Sequence, residues 1–331
     1  MNHKPQCSDA GHFTAMRYDT AGAQRVRQAT QQLEGWAHGW PEVNPQRIYA
    51  TCLYFAEPAP WLSIEALVAS SMWALWTFAL DDLVDEGALT AQEFAPRFER
   101  YVGIARGIAD VPDGSREDPL AALLHEVCEA LSRSDVFTAA RPYLARSLSD
   151  TLLAMLQEQE WRQNYVQYGT QPTYADYIEN GLRSIGVIPC LWTMLIGTGD
   201  ASALRHIDHL TVHMRHAAVC VRLANDMRSY RKELSEKNIN SMTILAKDEE
   251  RTGQTRATAV DAARQQVNRL VDQEFAICLA NSHDTRTDTD CPEHGILNTA
   301  RWAIEFYRHQ GFLTCQPGTE FQDFGWTSDH S

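Results

Sequence analysis

The chain has 331 residues, with 29 Lys plus Arg against 43 Asp plus Glu and a formal net charge of −14. That acid excess excludes a nucleic-acid binder, whose phosphate partner needs a basic face, and a polybasic membrane-surface protein. Apolar residues make up 44%, enough for a sizeable core, and eight scattered cysteines without a CxxC pair read as reduced thiols of a cytoplasmic protein.

Residues 1–25 are mostly polar, without the apolar core of a secretory leader, and read as an N-terminal tail. Pro58-Ala-Pro60 precedes the first strong helical pattern, 63–83, with apolar residues at 67, 68, 72, 75, 76, 79, 80 and 83 and Ser63 placed to cap it. Its apolar centre, 66–80, is short for a membrane span. A loop at 110–115 separates it from helical patterns at 118–132 and 146–162, and a turn at 168–172 from a third at 174–183. Further helices are predicted over 201–234, 257–279 and 296–312, with 281–294 as a mobile polar loop and 319–331 as a C-terminal tail. There is no alternating strand pattern, GxGxxG or P-loop. The reading is an all-α single domain over 26–318 with roughly ten helices.

Two acidic helix faces carry the chemistry. Asp81-Asp82-Leu-Val-Asp85-Glu86 closes an apolar helix. Asp81 and Asp85 lie 40° apart on it, where like charges repel. A hard divalent cation relieves that repulsion, and Mg²⁺ takes one or two carboxylates plus substrate phosphates. In Asn225-Asp226-Met-Arg-Ser229-Tyr-Arg-Lys232-Glu233, residues 225, 229 and 233 fall within 80° over two turns. They put an amide oxygen, a hydroxyl and a carboxylate on one stripe, a ligand set for Mg²⁺, with Lys232 beside it for an anion.

These two motifs, 144 residues apart from Asp81 to Asn225, resemble the aspartate-rich motif and the Asn/Ser/Glu triad of bacterial class I terpene synthases. The resemblance implies a helical bundle around a central apolar cavity and three Mg²⁺ ions gripping the diphosphate of a prenyl substrate. It assigns Asp81, Asp82 and Asp85, with Asn225, Ser229 and Glu233, to the metals, and Lys232 to the diphosphate. The run from Tyr177 to Arg183 is similar to the family segment whose arginine senses the diphosphate, and Gly186 and Pro189 break the helix after it. The family's terminal Arg-Tyr pair is reversed here, as Tyr307-Arg308; both are candidate diphosphate ligands.

A carbocation needs a dry cavity with aromatic faces. Phe55, Trp76, Phe78, Trp192 and Trp302 are the candidates, Phe78 and Trp192 first. His206, His209, His213 and His216 form a second stripe about 180° from the triad, read as a solvated or subunit-contact face. The function implied is Mg²⁺-dependent conversion of a prenyl diphosphate to a terpene, leaning to C20 (linear or labdane-type), with a C15 farnesyl diphosphate enzyme as the alternative. An upstream prenyl diphosphate synthase or class II cyclase would supply the substrate, and antiparallel homodimers are common among similar proteins. A chain-elongating prenyltransferase and a non-catalytic helical scaffold are the rival readings. The former carries a second aspartate-rich motif where this chain has 225/229/233.

Overall fold

A computed structural model describes residues 20–85, 91–109 and 118–317. The expected loop at 110–115, the C-terminal tail 319–331 and most of the N-terminal tail lie outside these residues. Within the described residues the chain is all α-helix, without strands: α1 (Thr20–Ala37), α2 (Ile48–Ala56), α3 (Ile64–Asp85), α4 (Ala91–Arg106), α5 (Pro119–Leu131), α6 (Phe137–Tyr168), α7 (Tyr174–Ser184), α8 (Val187–Thr198), α9 (Ile207–Glu236), α10 (Ser241–Arg251), α11 (Arg256–His283) and α12 (Cys291–His309). α1 starts inside the segment expected as tail. Helices α1, α2, α4, α8 and α10 were not singled out by periodicity.

Side-chain caps and glycines set the ends. Asp118, Thr173, Asn240 and Thr255 each accept a backbone N–H at the start of α5, α7, α10 and α11. Gly169 and Gly199, at φ 68° and 73°, end α6 and α8 in the left-handed conformation. The break after α7 forms as expected. Gly186 is left-handed at φ 71°, and a Cβ there would meet Thr77 Cγ2 at 3.1 Å. Pro189 then sits in the first turn of α8, where its missing N–H has no helical partner to lose.

α3 is the central helix. It packs on α2, α5 and α8, while α9 packs on α11 and α12. Trp73, Trp76 and Leu67 of α3 are fully buried. Ile64–Val84 and Tyr174–Thr198 do reach the length and hydropathy of a membrane span, longer than the sequence suggested. However, 67% and 72% of their apolar windows are buried within the fold, and the second is broken at Gly186. Core packing accounts for their apolarity. No disulfide links the seven described cysteines, all buried.

Three expectations are corrected here. The predicted helix 201–234 starts with a separate 3₁₀ turn, because the Asp200 carboxylate accepts from Ser202 N and Thr289 N and kinks the chain before α9. The 281–294 segment is not a loose loop. It is shortened by both flanking helices, and Glu293 accepts from the N–H groups of Arg286 and Thr287. The histidine stripe is not a solvated face. α11 and the 284–290 turn cover it: His213 is fully buried and His216 pairs with Glu274 at 2.6 Å.

Burial pushes the His213 pKa down to about 4, with His209 contributing. The unfolded chain holds this proton below pH 6.5 and the folded chain does not until about pH 4. Stability therefore falls as pH drops through that window, by of order 3 kcal/mol in all. Denaturant unfolding at pH 7 and pH 4.5 should show a smaller pH loss for His213→Leu than for the wild type. Equal losses would remove His213 from the account.

Candidate active site

A cavity of about 250 Å³ opens between α2, α3, α6, α7, α8, α9 and α12. α3 contributes Ala74, Thr77, Phe78, Asp81 and Val84, spaced as one helix face. α9 contributes Val221, Arg222, Asn225 and Glu233, which also share a face. The two acidic motifs thus meet across one cavity.

The triad is internally bonded. Ser229 Oγ donates to the Asn225 carbonyl at 2.9 Å and also hydrogen-bonds the Glu233 carboxylate. Asn240 Nδ2 donates to Glu233 Oε2 and to the Asp226 carbonyl, both at 2.8 Å. Burial, then the nearby Asp226 charge, raises the Glu233 pKa to about 7 against the opposing pull of Arg222, Asn240 and Ser229. A bound cation would favour the ionised carboxylate. Among the described residues no cluster of three or more His, Cys, Asp or Glu side chains is built to hold a metal. A site here must draw on amide and hydroxyl oxygens, which Asn225 and Ser229 supply, and such hard donors fit Mg²⁺.

Two further residues of the acidic run behave differently. Asp82 is paired bidentately with Arg47 at 2.8 and 2.9 Å. Asp85 is the last residue of α3, and its side chain lies outside the described residues.

The cations expected at the cavity are turned from it. Arg183 donates to the Glu179 carbonyl at 3.1 Å and pairs with the Glu179 carboxylate at 3.6 Å. Lys232 lies 100° round α9 from Glu233, is 70% exposed, and sits 3.8 Å from Glu236. Arg308 pairs with Glu305 at 3.4 Å. Its neighbour Tyr307 does line the cavity and hydrogen-bonds the Asn225 side chain. Arg162 and Arg222 are the guanidinium groups on the wall.

Arg222 was missed by sequence reasoning. It lies 3.0 Å from both Glu158 and Asp226, donates to Ser184 Oγ at 3.3 Å and to Tyr177 OH, and lies over the Tyr177 ring. Gly181 leaves room for it: a Cβ there would come within 3.2 Å of the Arg222 side chain. The available signal was spacing, since Arg222 precedes Asn225 by three residues and so shares its face.

Of the aromatic candidates, Phe78 lines the cavity and four do not. Trp76 lies about 160° from Phe78 on α3 and donates instead to the Leu120 carbonyl at 2.8 Å. Trp192 is similarly opposed to Cys190 on α8 and stacks on Tyr143 at 5.3 Å. Phe55 and Trp302 stand behind Tyr54, with ring centroids 4.8 and 5.5 Å away. The observed aromatic lining is Tyr54, Phe78, Trp161, Tyr177, Tyr307 and Phe312.

This helical fold is that of the class I terpene synthases. 2-Methylisoborneol synthase from Streptomyces coelicolor A3(2), solved with Mg²⁺ and geranyl-S-thiolodiphosphate, superposes with a TM-score of 0.72 over 89% of this chain and 94% of that one, at 15% identity. The SVS_A2 protein, an ancestral sequence reconstruction, gives 0.67 at 18% identity over 85% and 84%. Residues 72–273 match the family described as terpene synthase family 2, C-terminal metal binding, and the chain belongs to this family. Terpene cyclase 4 of Gibberella fujikuroi is 28% identical over 229 residues, 67% of this chain and 58% of that protein. The chloroplastic bifunctional cis-abienol synthase of Abies balsamea is 39% identical over 83 residues, 25% of this chain and 9% of that protein. The chain thus spans between 9% and 58% of these two relatives.

Proposed function

We propose that the protein ionises a prenyl diphosphate with Mg²⁺ and guides the carbocation to a cyclic terpene, releasing diphosphate. The observation that carries this is the convergence of Asp81 with Asn225 and Glu233 on one aromatic-walled cavity. Asp81, Asn225, Ser229 and Glu233 would hold the metal, with Asp85 beside them on α3; family resemblance puts the number of ions at three. When bound, Mg²⁺ neutralises the diphosphate and makes it a better leaving group. Asn240 orients Glu233, and Arg222 and Arg162 add positive charge on the same wall. Heterolysis of the allylic C–O bond sends its electron pair to the diphosphate and leaves the cation in the cavity. The rings of Phe78, Phe312 and Tyr54 face it and exclude water.

The reading favours a C20 substrate, linear or labdane-type. The reversed Tyr307-Arg308 order supports it, as do the relatives named ent-atiserene synthase (Isodon japonicus, 26% identical) and ent-beyerene synthase (Oryza sativa, 31%). Farnesyl diphosphate is the alternative. The reading places the enzyme in the cytoplasm as a homodimer, fed by a prenyl diphosphate synthase or a class II cyclase. Incubation with C10, C15, C20 and labdane-type diphosphates, followed by mass spectrometry, tests it. Mg²⁺-dependent C20 products are expected, and none in excess chelator. Products from C15 alone would transfer the assignment to the alternative, and no turnover of any would end it.

A further inference from the structure

Asp82 belongs to the same acidic run as Asp81 but serves another contact. The chain leaves α2 and enters α3 through residues 57–63, while Arg47, just before α2, meets Asp82 near the far end of α3. The two helices therefore run antiparallel, with Arg47 at the acidic end of the cavity. Its guanidinium donates to both Asp82 oxygens at 2.9 and 2.8 Å and to the Phe78 carbonyl at 3.2 Å. It also lies over the Phe78 ring, 4.7 Å from its centroid. Phe78 and Asp82 are four residues apart, so they share a face of α3, and Asp81 points 100° away from Asp82.

One partly buried side chain, 12% exposed, thus grips the last turns of α3 by a carbonyl, a ring and a carboxylate. The Arg47 side is also close to the opposite wall. Tyr307, which bonds Asn225, feels the charges of Arg222, Asp81 and, least of the three, Arg47. Arg47 thus joins Arg222 as a guanidinium whose charge reaches this junction, and it does so from the N-terminal side of the chain.

We propose that Arg47 is a positioning residue of the active site: Asp82 is its counter-ion rather than a ligand of the divalent cation, and the pair fixes the turn of α3 that presents Asp81 and Phe78 to the cavity. The proposal rests on the functional reading above. It predicts that Arg47 and Asp82 act as one unit. A double-mutant cycle separates that from two independent roles.

The experiment titrates Mg²⁺ plus inorganic diphosphate calorimetrically into the wild type, Asp81→Asn, Arg47→Met, Asp82→Asn and the Arg47→Met/Asp82→Asn double variant. Product ratios are measured in parallel, and circular dichroism checks folding. Arg47→Met and Asp82→Asn should weaken binding by a similar factor, about 10-fold, the usual loss for a partner that orients a ligand. The double variant should be no worse than the weaker single, and all three should shift product ratios in the same direction. Arg47→Lys, which keeps the charge and loses the fork, should fall between wild type and Arg47→Met and guards against a misfolded methionine variant.

Additive losses in the double variant would overturn the proposal. So would a loss in Asp82→Asn matching Asp81→Asn while Arg47→Met binds normally. Unchanged binding and product ratios, with only thermal stability lowered, would reduce the pair to a structural contact and equally overturn it. A wild type that binds no Mg²⁺–diphosphate would instead remove the functional reading itself.

Discussion

Asp81→Ala, Asn225→Ala and Glu233→Ala should each lower product formation by at least about 10²–10³-fold, the scale on which loss of one charge-stabilising group acts, while the helical circular dichroism signal persists. The three side chains line one cavity from two helices. Glu233 is half-buried in the cavity wall beside Asp226, and desolvation with that neighbouring charge raises its pKa to about 7 without a cation. On the proposed function such a carboxylate would be held for binding a positive charge, with the hydrogen bonds of Ser229 and Asn240 aiming it. Lys232→Ala, at a 70% exposed side chain paired with Glu236, should leave turnover near wild type. Product analysis under saturating Mg²⁺ decides it, and full activity in any of the three alanine variants would sink that residue's assignment.

Arg222→Met should be strongly destabilising, costing about 3–5 kcal/mol, because it strands the buried Asp226 carboxylate. Asp226 is fully buried, and besides Arg222 its carboxylate is met by Tyr177 OH at 2.9 Å and Ser241 N at 3.2 Å. Removing the guanidinium leaves that charge without its counter-ion, and Glu158 as well. A drop in Tm of roughly 10 °C is expected, at a few degrees per kcal/mol for a domain of this size. Adding Asp226→Asn should recover part of the loss, since the stranded charge is then gone. If Arg222→Met unfolds at the wild-type temperature, the network contributes no net stability.

Much of the site was legible because its spacing is local. Residues 225, 229 and 233 lie on one stripe whatever the rest of the fold does, and so do 81 and 85. The cavity aromatics were legible only in part. Phe78, like Trp192, is a candidate by its nearness to a motif, and it lines the cavity because its three-residue offset from Asp81 shares a face. Trp76, Trp192 and Trp302 lie off the cavity because nearness in sequence does not give a shared face, and 160° separates Trp76 from Phe78. Arg183 and Arg308 were assigned by resemblance, which fixes a position in the chain and not where a side chain turns. Their carboxylate partners, Glu179 and Glu305, lie one turn away on their own helices. Tyr54, Phe312 and Arg47 had no local signal at all, since each meets the cavity or its rim only through tertiary packing. Short helices such as α2, with an almost wholly buried surface, show no periodic contrast between faces.

The cavity wall, drawn from α2 through α12, has a consequence for how the protein comes to be active. Asp81 and Asn225 stand 144 residues apart, and the segments that bracket the cavity, around Tyr54 and Tyr307, are farther apart still. Contacts this distant in sequence close late, because the loop entropy they cost is recovered only when the intervening helices have docked. A chain not yet extended to Tyr307 and Phe312 therefore lacks part of the cavity wall. The packing of α12 on α9 completes the wall, and on the proposed function cleavage between α3 and α9 before that packing forms would leave the two acidic faces on separate fragments.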